Sequence, residues 1–341
     1  MHLPFRDVAR VGPNDLITSD PELMRRMLNV RTHYRRSAWY DAMRLDPTKD
    51  NVLSQRNDEL HASTRSKMAA GYSGREVDDL EPRIDANVQR LIGLIDGYIA
   101  RDKPFDFGHK AQYFTLDIIS DLAFGEPFGD VETDSDVHGY IGATEESMPT
   151  IIVTTVMPWV MKLLQMPIFK GMLPSDKDPV GVGRTMAIAK KVTAERFGPN
   201  AKVQRDMLGS FVAKGLGRSQ VESEILMQIL AGDTFKGVYL PGGTKIGYCA
   251  WGIYRRRDIF GDDADEFRPE RWVEAPEEKL RLMEDTLELV FGYGRWQCLG
   301  KNIAMMELNK VFVELVRRFD LAVVNPIKPW NSTKRRSFPA V

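Results

Sequence analysis

Cys298 is the residue on which chemistry can be built. It sits in Phe291-Gly-Tyr-Gly-Arg-Trp-Gln-Cys298-Leu-Gly300-Lys301, with glycines at 292, 294 and 300 and a helical pattern opening directly behind it. Glycines permit tight turns and let a backbone lie close to a large flat group. A thiolate at a helix N-terminus is favoured by the dipole and by free N–H groups. The same N–H groups can hydrogen-bond a sulfur that ligates a metal and tune that metal. The residues alone leave two readings open, a metal-ligating thiolate and a buried cysteine at a helix cap. The second cysteine, Cys249, reads as a small buried apolar residue. Competing chemistries fail on spacing. Gly292–Asn302 has no glycine five positions before Gly300, and Asn302 stands where a phosphate loop needs Ser or Thr. The histidines at 2, 33, 61, 109 and 138 are scattered and none forms H-E-x-x-H, which argues against a zinc hydrolase. There is no G-x-S-x-G nucleophile elbow.

The elements that must position Cys298 are mostly helical. Residues 11–20 read as a short strand pair with a Pro-Asn turn, ending at a capping Asp20. From there to about 234 the pattern is helical. In 76–101, Leu80, Ile84, Val88, Leu91, Ile95 and Ile99 share one helical face. Residues 109–124 form a helix ending at Gly125, and Ser219 with Glu222 reads as a capping box. Residues 235–246 read as a hairpin with a Pro-Gly-Gly turn, followed by a meander over 258–290. The last helix begins near Gly300 and sets Ala304, Leu308, Phe312, Leu315 and Phe319 on one stripe. The class is mainly α with a minor β part, read as one domain over 1–341. Within it, residues 1–234 are mostly helical, and residues 235–341 hold hairpin, meander, cysteine loop and final helix.

Composition sets outer bounds. The chain has 341 residues, 43% hydrophobic and 28% charged, with 47 Lys plus Arg against 48 Asp plus Glu and a net charge of −1. That balance argues against nucleic acid as a partner, and two cysteines give no disulfide framework and no disulfide partner. The N-terminus shows no signal peptide. No window is long and apolar enough for a spanning helix. The closest candidate, 151–166, is interrupted by Pro158 and Lys162. It reads either as a buried or loop-flanking helix or as a surface that meets a membrane or an apolar ligand.

The loop Phe291–Gly300 resembles the haem-binding loop of cytochrome P-450 monooxygenases. Three further blocks agree in the family's order. His61 and Arg65 resemble the helix residues that contact the haem propionates, and Ala231-Gly232-Asp233-Thr234 resembles the oxygen-activating stretch of the central helix. Phe267-Arg268-Pro269-Glu270-Arg271-Trp272 resembles the meander signature. The wording is most similar to fungal members of the pisatin-demethylase-like branch. The resemblance implies an incomplete cytochrome P-450-like fold. It also implies haem with Cys298 as axial iron ligand, and insertion of one oxygen atom from O2 into an apolar small molecule. Further implications are an NADPH-dependent reductase as electron donor, a role in secondary metabolism or detoxification, and a place on the endoplasmic reticulum membrane. His61 and Arg65 stand at i and i+4 on one helix face, where Arg can grip a carboxylate through two hydrogen bonds. Asp233 and Thr234 would deliver protons, the acid supplying and the alcohol positioning.

The departures from the family are equally specific. No Glu-x-x-Arg pair lies between Thr234 and Phe267 to meet Arg271, and an unpartnered Arg271 is expected to turn to solvent and loosen the loop. Gly232 meets Asp233 directly, one residue short, which rotates the residues beyond it by roughly 100° on a helix. Two before Cys298 stands Trp296 rather than a basic residue. This leaves Arg295 as the loop's candidate for a propionate and Trp296 as a ring beside the porphyrin. The family's membrane anchor, first helix and last hairpin are not found, and the run 151–166 resembles the loop near the substrate entrance. Two functions remain in view: a haem-thiolate monooxygenase, or a truncated, non-catalytic relative that binds haem weakly or not at all.

Overall fold

The computed structural model describes residues 7–44, 46, 49–164, 166, 175–178, 181–198, 201, 204–227 and 245–323. The strands are β1 Val8–Arg10, β2 Asp15–Thr18 and β3 Lys245–Tyr248, and the helices begin with α1 Pro21–Leu28, α2 Asp58–Tyr72, α3 Leu80–Ala100, α4 Phe107–Phe124 and α5 Asp130–Thr133. They continue with α6 Tyr140–Val156, α7 Pro158–Leu164, α8 Gly181–Ala194, α9 Met207–Ala213, α10 Arg218–Met227, α11 Ala250–Ile253 and α12 Arg257–Phe260. α13 Arg271–Glu274, α14 Glu277–Leu287 and α15 Lys301–Arg318 complete the order. The fold is mainly α with a small sheet, as expected. The chain falls into two compact units, Met1–Val77 with Gly139–Asn302, and Asp78–His138 with Ile303–Val341.

The first unit opens on a strand pair around the expected Pro-Asn turn, but the pair expected within 11–20 begins earlier, with β1 at Val8–Arg10. β1 and β2 are antiparallel, with Val8 opposite Thr18. The turn is closed by Val11 N–H donating to the Asp15 carbonyl at 3.0 Å. Asp20 then caps α1, accepting from Glu22 N–H at 3.0 Å, and Pro21 fills the first helical position where no N–H is needed. Of the hairpin expected at 235–246, residues 235–244 lie outside the described residues, and β3 pairs parallel with β2. Cys249, half-buried, is the N-cap of α11, its Sγ accepting from Gly252 N–H at 3.3 Å. α2 packs on α9 so tightly that a Cβ at Gly71 would stand 3.0 Å from the Phe211 ring.

The capping box expected at Ser219 does not form. The helix starts one residue earlier, at Arg218. The Glu222 carboxylate accepts from Arg218 Nε at 3.1 Å and from Lys49 Nζ at 3.1 Å. Two cations displace one backbone N–H from a carboxylate, because charge-assisted hydrogen bonds are the stronger kind. The run 151–166 is an outward surface over much of its length. Ile152, Trp159 and Met166 are each at least 50% exposed. Among the described residues no helix is long and apolar enough to cross a membrane.

The second unit is held by buried aliphatic rows. α3 buries Ile84, Val88, Leu91, Ile92 and Ile95, and α4 buries Phe114, Leu116, Ile118 and Leu122. α4 ends at Gly125 with φ +92°, the αL terminus that glycine tolerates best. Polar ties are made by carboxylates. Asp121 receives Arg83 and Asn87 at 2.9 Å each, and Asp117 accepts the N–H groups of Gly129, Asp130 and Val131 at 2.8–3.0 Å. The α15 stripe differs from expectation. Ile303, Val311 and Leu315 are buried, whereas Leu308 and Phe312 are exposed. Lys310 anchors the helix through Glu81 at 2.8 Å and Asp85 at 2.7 Å, a register the apolar periodicity does not encode.

Candidate haem-thiolate site

The cysteine loop runs from a 3-10 turn, Glu288–Phe291, through a second, Gly294–Trp296, to the start of α15. Gly292 and Gly294 take φ +71° and +56°. With ψ −169° Gly292 lies in a region essentially confined to glycine, and the left-handed φ of Gly294 costs an L side chain roughly 1–2 kcal/mol. A Cβ at Gly294 would collide with the Leu28 carbonyl oxygen at the end of α1. This glycine therefore serves a protein–protein approach within the fold. Gly300 is different, since its nearest neighbours are the Tyr72 ring at 3.6 Å and Cys298 Sγ at 3.9 Å, ordinary contacts. Cys298 N–H donates to the Phe291 carbonyl at 2.6 Å, closing the loop on itself. The Cys298 residue is exposed. The helix-cap alternative required a buried thiol.

α2 supplies the facing side chains. Asn57 caps it, accepting from Glu59 and Leu60 N–H at 2.9 and 3.0 Å, which fixes where His61 and Arg65 fall. His61 is 2% exposed and its ring lies 4.1 Å from that of Trp296, centroid to centroid. Burial, then the charges of Arg36, Arg65 and Arg295, pull its pKa down to about 3, so this imidazole is neutral at pH 7. Arg65 donates to the Gln297 carbonyl, one residue before the cysteine. Its own pKa is lowered by burial and raised in part by the charge of Cys298. Of the residues expected at the site, His61, Arg65, Arg295 and Cys298 are thus gathered. Asp233 and Thr234 lie outside the described residues.

Arg295 and Trp296 occupy defined places. Arg295 pairs with Asp58 at 3.0 Å and donates to the Tyr34 carbonyl at 2.9 Å. Its Nε is buried with no hydrogen-bond partner among the described residues. Trp296 is half-buried. Arg36 places its guanidinium carbon 3.8 Å from the Trp296 ring centre. No sequence signal singled out Arg36, Asp58 or Tyr34. The first lies in a non-periodic segment with no motif, and Asp58 reads only as a first-turn acid of a helix.

Arg271 corrects an expectation. Its side chain is 10% exposed and pairs with Asp263 at 3.2 Å. It also donates to the carbonyls of Phe260, Asp263, Glu266 and Arg268. The guanidinium has five N–H donors in a fixed fork. A meander that curls around it satisfies them locally, so it does not turn to solvent.

The donor set fits a haem. A single exposed thiol is available to an iron. Beside it Arg36, Arg65 and Arg295 crowd a neutral imidazole, and an arginine nitrogen is buried without a partner among the described residues, as suits a group carrying carboxylates.

Comparison with known proteins agrees with that chemistry. The family model described as cytochrome P-450 matches residues 221–339. The cytochrome P-450 monooxygenase ABA1 of Pyricularia oryzae is 37% identical over 98% of this chain and 82% of its own length. The aba1 monooxygenase of Botryotinia fuckeliana is 32% identical over 96% and 82%. The abl1 monooxygenase of Leptosphaeria maculans is 27% identical over 96% and 74%. The first alignment spans 424 positions on a chain of 341 residues, so at least 83 positions stand opposite gaps in this chain.

Proposed function

The chain belongs to the cytochrome P-450 family and is an oxidoreductase of the monooxygenase class, and from that premise we propose that Cys298 would hold the iron of a haem through its thiolate. When bound, a haem held by Cys298 would supply activation of O2. The overall reaction places one oxygen atom in an apolar small molecule and releases the other as water. Two electrons come from a separate NADPH-dependent reductase.

The observation that carries the proposal is the meeting of an exposed Cys298 with a half-buried cationic cluster at Gln297 and Trp296. The roles divide by chemistry. Arg65 holds the main chain at Gln297 and offers charge to a carboxylate. A neutral His61 contributes hydrogen bonding without adding to the positive charge. Arg295 offers Nε to the same group. Asp233 and Thr234 would deliver and position protons, by the resemblance of their motif. The wording of the motifs favours the pisatin-demethylase-like branch, and with it a role in secondary-metabolite biosynthesis or detoxification.

The second reading, a non-catalytic relative, rests on the alignment. At least 83 positions of the relative have no counterpart here, and Thr234 runs directly into Phe235 where the family continues its central helix. One spectrum separates the readings. Reduced protein under carbon monoxide is expected to show the red-shifted Soret band of a thiolate-ligated haem, and Cys298→Ala is expected to abolish it. A band that survives the substitution overturns the ligand assignment. Haem bound without the shifted band supports the non-catalytic relative.

A further inference from the structure

Arg36 is drawn into the site from outside every motif. It lies between Tyr34 and the 3-10 turn Ala38–Met43. One nitrogen, Nη1, donates to the carbonyls of Val52 at 2.8 Å, Leu53, and Gln55 at 3.2 Å. Those carbonyls belong to the segment that leads into α2. The same guanidinium stands over Tyr40 at 4.7 Å and over Trp296 at 3.8 Å. Arg36 therefore joins the approach to α2 with the cysteine loop through one rigid planar group. Arginine suits this better than lysine, because its plane stacks on aromatic faces while its edge donates.

The charge matters as well as the plane. Within the loop the basic residue is Arg295, and two of its nitrogens are held by Asp58 and the Tyr34 carbonyl. The positive charge over the Trp296 ring at closest range is that of Arg36, at 3.8 Å against 5.1 Å for Arg295. Arg36 is also the largest single charge acting on His61 after burial. Trp296 is thus touched by His61 of α2 and by Arg36 together.

We propose that Arg36 is the positioning residue of the cysteine loop, setting Trp296 against α2 and supplying a positive charge beside His61 and Arg65 for the carboxylates of the haem. The inference rests on the haem reading for its charge role, and on the stacking geometry for its positioning role.

The test uses the full chain labelled with 5-fluorotryptophan, with Trp296→Phe assigning the Trp296 resonance and Trp251 and Trp272 as internal references. Hemin titration of the haem-free protein and the reduction potential of the loaded protein are measured beside it. Arg36→Gln removes plane and charge. It is expected to move the Trp296 resonance, to weaken hemin binding about 10- to 100-fold, and to shift the reduction potential to more negative values, because a cation that favours the extra electron is gone. Arg36→Lys keeps the charge and loses the plane. It is expected to move the resonance while retaining most of the hemin affinity and the potential. A thermal melt that stays cooperative in both variants shows that the fold persists, and a melt lost in Arg36→Gln leaves Arg36→Lys to decide. An unmoved Trp296 resonance in Arg36→Lys, or hemin affinity and potential unchanged in a folded Arg36→Gln, overturns the inference. Wild-type protein that takes up no hemin overturns the proposed function and the charge role together. The resonance then still decides whether Arg36 sets Trp296.

Discussion

The meander and the cysteine loop solve the same problem in opposite ways. Both must hold a fixed shape and both are organised around arginine, although the stretch read as a meander over 258–290 contains the helices α13 and α14 whereas the cysteine loop is irregular apart from two 3-10 turns. In the meander, Arg271 is satisfied within its own neighbourhood, by acceptors at 260, 263, 266 and 268. In the cysteine loop, the contacts come from far along the chain: Tyr34, Arg36, Asp58, His61 and Arg65. A locally closed network needs little from the rest of the fold. A loop held from a distance is only as well placed as the elements that reach it, so its geometry is a readout of the whole first unit. Disturbing each in turn tests the contrast.

The largest effect is expected at the sulfur. Cys298→Ala should remove the thiolate-shifted Soret band of the reduced carbon monoxide complex entirely while leaving the thermal melt near that of the wild type, because the Cys298 residue is exposed and few packing contacts are lost. A comparably large loss of thermal stability would mean that the cysteine is structural.

Arg271→Met should cost about 2–3 kcal/mol in chemical denaturation, because the carbonyls of Phe260, Asp263, Glu266 and Arg268 lose their charged donor, while Asp263 keeps Arg268 at 3.0 Å. Because the network is local, the Trp296 contacts should persist. If the 19F resonance of Trp296 moved as much as in the Arg36 variants, the meander would not be self-contained.

This pair also shows what the sequence makes legible. The strand pair before α1, its Asp20 cap and the end of α4 at Gly125 could be read because each depends on residues within a few positions. Cys298 stands out by its glycine-flanked loop, but those residues alone leave the thiolate-ligand and buried-cysteine readings open, and the ligand role enters only through the family resemblance. Asp263 could not be matched to Arg271, since a carboxylate eight residues upstream in a coil follows no period. The capping box at Ser219 failed because Lys49, remote in sequence, competes for Glu222. The buried face of α15 leaves out Leu308 and Phe312 of the apolar stripe because periodicity gives the existence of a stripe but not the neighbour that covers it. Arg36 carries no local signal at all; its role is set by tertiary approach.

Gly294→Ala should destabilise the first unit by about 2 kcal/mol, combining the cost of φ +56° with the displacement forced by the Leu28 carbonyl. The loop is held from α1, so this substitution should also move the Trp296 resonance. A loop that kept its place would have to be fixed by α2 alone.

A somewhat smaller effect is carried by pH. His61 is neutral in the folded protein, with its pKa drawn down to about 3, and titrates near 6.5 when unfolded. The unfolded chain therefore takes up the proton first, and stability falls as pH drops from about 6.5 toward 3. Between pH 7 and pH 5 this amounts to about 2 kcal/mol at most. Asp130, raised to about 6, and Glu224 and Glu307, raised to about 7, act with the opposite sign. Their carboxyls are held neutral by burial, and the stability they give is lost as pH rises through those values. The difference between wild type and His61→Gln across that range isolates the histidine, and equal pH slopes would place it outside the buried cluster.

The smallest effect separates two meanings of a glycine in the same loop. Gly300 has no strained φ and only van der Waals neighbours, at 3.6 and 3.9 Å, so Gly300→Ala should shift the stability of the haem-free chain by less than about 0.5 kcal/mol, as a substitution away from special backbone features does. If glycine is needed there at all, the need must come from a group beside Cys298. A variant that melts like the wild type but binds hemin more weakly would place that flat group against Gly300. Unchanged hemin affinity would assign the loop's glycine requirement to Gly292 and Gly294, where the backbone itself demands it.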